Sequence, residues 1–146
     1  MAAAQNYRNH TRFDPPFHYF LAPLFVLNVI FWIAYLIHHW PAHGLLNGWI
    51  VLMSIGLLLM LGTARRYANG VQDRVIRLEE RIRYLQLLTP EMVAASQALS
   101  IRQIIALRFA SDAELPRLIE RTLSENLQPK AIKQSITVWR PDHQRI

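Results

Sequence analysis

The residues best equipped for chemistry in this chain are its six histidines, since imidazole ligates metals and haem and moves protons near neutral pH. His38, His39 and His43 cluster, and His39 and His43 have the i,i+4 spacing of a helical metal pair. Pro41 and Gly44 interrupt a helix at that point, and no Asp or Glu stands beside them to complete a hydrolytic zinc site, so no metal site is expected. A haem held by two histidines of one chain would need one on each apolar segment, and the second segment has none. His18 and His38 are left as single ligands for haem or chlorophyll, with a role as polar residues at an interface as the plainer reading. Zero Cys excludes disulfides, Cys-ligated zinc, iron–sulfur clusters and thiol catalysis. The sequence contains no G-x-S-x-G, Walker loop, H-E-x-x-H or G-x-G-x-x-G, and an enzyme is not expected.

The elements that carry these histidines are set by one long apolar run. The 146 residues are 52% hydrophobic and only 18% charged, below the ~25% usual for soluble domains, and the mean hydropathy is +0.11. No Asp, Glu, Lys or Arg occurs between Asp14 and Arg65. Such a run excludes an ordinary soluble globule and suits two spans of ~20 residues each. The spans are expected over 17–37 and 45–64, with an outer loop over 38–44. The backbone must be satisfied internally in lipid, so both are expected to be helices, paired as a hairpin over 17–64. The first apolar stretch is too long for a cleaved signal peptide. Arg8 and Arg12 precede the hairpin, fourteen Lys and Arg follow it, and none lies in the loop, which predicts that residues 1–16 and 65–146 are both cytoplasmic. Arg65 and Arg66 are expected to snorkel to headgroups. Asn28 is expected opposite Ser54 to Gly56, as a polar contact between helices whose small residues allow close approach. A pore with Asn28 facing its lumen is a weaker reading, because two apolar spans offer little else to line a path.

Beyond Ala64 the pattern becomes amphipathic. Val71, Val75, Leu78, Ile82 and Leu85 alternate four- and three-residue steps, which is an a/d seam. Asp73 with Arg77 and Glu79 with Arg83 have the favourable i,i+4 order. Thr89–Pro90, Ser100 to Gln103, Ser111 to Glu114 and Gln128–Pro129 predict starts of short helices, the last carrying Ile132, Ile136 and Trp139 on one face as far as Arg140–Pro141. A unit of this size buries only ~60% of its surface, so the short helices are expected to lean on the seam. The competing reading keeps the seam for a partner or a second copy. The carboxylates among the arginines read as a solvated face. Fourteen Lys and Arg against nine Asp and Glu after residue 64 make the tail modestly basic. That suits anionic lipid headgroups, whereas no basic recognition face suggests nucleic acid. The fold class is thus an all-α membrane protein: a hairpin, a juxtamembrane amphipathic helix and a small cytoplasmic helical domain.

Four stretches also carry a resemblance. They are 5–16 (QNYRNHTRFDPP), 71–81 (VQDRVIRLEER), 107–116 (LRFASDAELP) and 139–142 (WRPD). Together they resemble a bacterial family of small two-span membrane proteins of unassigned function. The resemblance implies a protein of the bacterial cytoplasmic membrane and carries over no catalytic or binding residue. The expected function is a non-enzymatic accessory subunit or scaffold, partnered by other membrane-protein subunits or by itself. The alternative is a haem- or pigment-binding subunit of a redox or photosynthetic complex that uses His18 or His38.

Overall fold

The computed structural model describes Asn6, Tyr7 and residues 14–141. Most of the N-terminal motif, with Arg8 and Arg12, lies outside the described residues, as does Asp142. The structure is all helical, without a strand among the described residues, and divides into two compact units, Arg12–Asn69 and one holding Gly70–Ile146. Two helices are long and apolar enough to cross a membrane, Pro16–His38 and Gly44–Leu87.

The first of these opens with a π-helical turn, Pro16–Leu21, and continues as α1, Ala22–His38. Pro23 gives the reason for the wide turn. It has no N–H and its ring crowds the carbonyl four residues back, so Ala22 N–H reaches to Phe17 O instead. Residues 39–43 form a turn, and Gly44 starts α2, Gly44–Leu87, where a Cβ would sit 2.5 Å from the Trp40 ring. Two contacts in this unit are nested in sequence: Asn28 Nδ2 donates to Ser54 Oγ at 2.9 Å, and Arg65 Nη1 pairs with Asp14 at 3.0 Å. Arg65 also lies 4.7 Å over the Phe17 ring. Gly56 does not mediate close approach. It is exposed, and a Cβ there would meet nothing within 4 Å, because two residues from Ser54 is about 200° around a helix.

In the second unit α2 is joined by α3 (Pro90–Ser96), α4 (Ile101–Leu107), α5 (Leu115–Glu125) and α6 (Pro129–Ser135). Thr89 caps α3 by accepting from Met92 N–H, and Ser100 with Gln103 forms a reciprocal capping box on α4. α5 ends on Asn126 in the left-handed conformation, φ 49°, which Asn tolerates at that position. The core is built from Leu99, Ile104, Leu107, Phe109, Leu115 and Ile119, with Ile132 and Ile136 from the last helix and its end.

Two predicted helix limits differ. Ser111 does not cap α5. The N-cap is Glu114, whose carboxylate accepts from Val138 N–H at 3.3 Å instead of turning back on its own helix. α6 stops at Ser135 rather than running to Arg140. The chain past it bends at residues 137–138, with an isolated bridge between Ala110 and Trp139 and a bond from Arg140 N–H to Phe109 O at 2.8 Å. Trp139 still reaches the core, 5.2 Å from the Phe109 ring centroid.

Candidate interaction surface

The expected docking of the short helices on the a/d seam is overturned. Val71, Val75, Leu78, Ile82 and Leu85 are 48–68% exposed. The domain instead covers Ile76, Glu80, Arg83 and Tyr84 of α2, which are buried. At 100° per residue the two sets point about 165° apart, so α2 presents one face inward and the opposite face to solvent. The inward face has i, i+4, i+7, i+8 spacing, as the apolar stripe of a surface helix does, but two of its four residues are charged.

Those charges are satisfied locally. Arg83 donates from Nε to Asp112 at 2.8 Å, from Nη1 to Glu80 at 3.2 Å and from Nη2 to Ala110 O at 2.7 Å, with a longer bond to Arg108 O at 3.4 Å. A planar guanidinium can serve several acceptors at once, which a lysine cannot. Glu80 is therefore not part of a solvated face, and Arg83 pairs with Glu80 and Asp112 rather than with Glu79. Burial raises the Glu80 carboxyl above its ordinary value of 4.5, outweighing the pull of Arg83 and, less strongly, of Arg140 and Arg108. The folded state then holds a proton that the unfolded state has released between pH 4.5 and the folded pKa, so this group's contribution to stability falls as pH rises through that window. Glu80→Gln removes the titration. Wild type is expected to gain thermal stability relative to that variant on acidification toward pH 4.5, and a constant difference across the range would contradict this.

Tyr84 is 1% exposed and its hydroxyl has no hydrogen-bond partner among the described residues. An unbonded buried hydroxyl contributes nothing and has lost its hydration. Tyr84→Phe is expected to leave stability unchanged or raise it by about 1 kcal/mol, whereas Tyr84→Ala should cost about 3–5 kcal/mol through the cavity it opens. Denaturant melts of the two variants check both values.

The outward face is apolar along its centre and bordered by Arg74, Arg77 and Arg81, which with Val71, Val75 and Leu78 line a shallow groove. Neither Arg74 nor Glu79 forms an ion pair among the described residues.

Among the described residues the histidines are not brought together with one another as ligands. His18 and His38 lie about 20 residues apart along the Pro16–His38 helix, ~30 Å at 1.5 Å per residue, so one planar ring system cannot take both from one chain. A ring nitrogen of His18 is 2.9 Å from Asp14 O. His39 stacks on Tyr35, with ring centroids 3.9 Å apart. Among the described residues no three His, Asp or Glu side chains converge as a metal-ligand group.

No curated protein and no solved structure matches the chain. A family model does match, over residues 1–146, and by it the chain belongs to a family of unknown function, DUF6526.

Proposed function

We propose that this protein is a non-enzymatic scaffold or accessory subunit of the bacterial cytoplasmic membrane. In this reading the two apolar helices form a transmembrane hairpin. Both termini are cytoplasmic, and the outward face of α2 docks a partner protein. One observation carries the reading. A five-residue apolar seam stands exposed on α2 while the adjoining domain packs on the opposite face of the same helix. Contiguous apolar surface exposed beside a complete domain core marks an interaction site. The Asn28–Ser54 and Asp14–Arg65 contacts suit a hairpin, interhelical hydrogen bonds of the first kind contributing about 0.6 kcal/mol each. The cations after residue 64, with none in the loop between the spans, support the orientation and an attraction to anionic headgroups.

Mild detergent extraction from native membranes, with the mass and composition of every species carrying the chain, tests the reading. Recovery in a stoichiometric complex, with other subunits or with itself, is the expected result. A lone monomer at all protein concentrations overturns it.

A further inference from the structure

We infer that the partner on the outward face of α2 is a second copy of this chain, paired as a parallel, in-register, two-stranded coiled coil over Val71–Leu85. The inference rests on the scaffold reading above and names its partner. In heptad terms Val75 and Ile82 occupy a, and Val71, Leu78 and Leu85 occupy d. β-Branched residues at a with Leu at d favour two parallel strands over three or four.

The flanking charges agree with the same arrangement. Arg74 falls at g and Glu79 at the following e, the two positions that face each other across a parallel pair. A two-fold axis therefore makes the Arg74–Glu79 contact twice, between residues that have no ion pair among the described residues of their own chain. The next g–e pair, Arg81 with Gln86, carries no repulsion. An antiparallel pair centred on Leu78 would set Arg74 against Arg81.

The helical domain leaves room for the partner, because Ile76, Glu80, Arg83 and Tyr84 fall at b, c and f, on the outside of such a pair. The seam spans little more than two heptads, too short for a free coiled coil of high affinity. It lies on the helix that also carries the second apolar segment, however, so copies inserted with one orientation are held parallel and concentrated in two dimensions.

The chain has no Cys, which makes crosslinking direct. In native membranes under mild oxidation, Leu78→Cys should give a disulfide-linked species of twice the chain mass, and Asp73→Cys, at the outer f position, should not. In the Leu78→Cys background, Arg74→Glu or Glu79→Arg alone should lower that species about tenfold, since each sets like charges together twice. Both changes in one chain should restore it, and so should co-expression of the two singly altered chains, as a mixed dimer. Equal crosslinking at positions 78 and 73, or no recovery in either combination, overturns the proposal. Absence of the crosslink in a chain that still extracts with other subunits overturns self-pairing and leaves the scaffold reading standing. Absence in a lone monomer overturns both.

Discussion

Arg83→Ala is expected to cost the helical domain about 3–5 kcal/mol, a large share of the 5–15 kcal/mol that stabilises a typical domain. The loss does not come from a surface ion pair, which would be worth at most ~1 kcal/mol. It comes from what stays behind. Glu80 is 5% exposed and loses its 3.2 Å partner, while Ala110 O loses its 2.7 Å donor. Asp112, which is largely exposed, recovers water and contributes little to the cost. Arg83→Lys should recover less than half of the loss, because one ammonium cannot reach the acceptors that the guanidinium fork bridges. Arg74→Ala, at an exposed position without an ion pair among the described residues, should change stability by no more than about 0.5 kcal/mol. Chemical or thermal melts of the detergent-solubilised chain give these values. Equal effects at positions 74 and 83 would mean that the Arg83 network does not fix the domain on α2.

Leu78→Asp is expected to act in the opposite sense, abolishing assembly and sparing the fold. Leu78 is 61% exposed, so its replacement removes little intramolecular packing and leaves the core from Leu99 to Ile136 intact. In the assembled state the same change places a carboxylate in an apolar seam, and association should weaken by about 100-fold or more. Light scattering of the extracted chain, beside its melting curve, reads the two effects separately. A variant that assembles like wild type would remove the seam from the interface.

The two predicted changes also show where the amino-acid sequence was informative. Helix starts at Thr89, Ser100 and Gln128 could be read directly because their signals are local: a side chain or a proline meets backbone groups within three residues. The apolar segments were legible for the same reason, as composition alone excludes charge over 15–64. The docking of the short helices was misplaced because periodicity reports that a face is apolar and not what covers it. The face actually covered includes Glu80 and Arg83, whose burial depends on Asp112 and two carbonyls 25–29 residues away. A hint was present in the spacing of Ile76, Glu80, Arg83 and Tyr84, and polarity concealed it. Ser111 and Glu114 misled for a related reason, since Glu114 is engaged by the distant Val138 N–H.

The most direct measurement is the rate at which a maleimide modifies Leu78→Cys in native membranes, compared with Gln134→Cys on the exposed side of α6. Should the outward face of α2 be an interface, the thiol at 78 reacts about tenfold or more slowly than the one at 134, and the difference vanishes once a harsh detergent dissociates the assembly. Equal rates in the intact membrane would show the seam bare in its native setting, and would contradict the account.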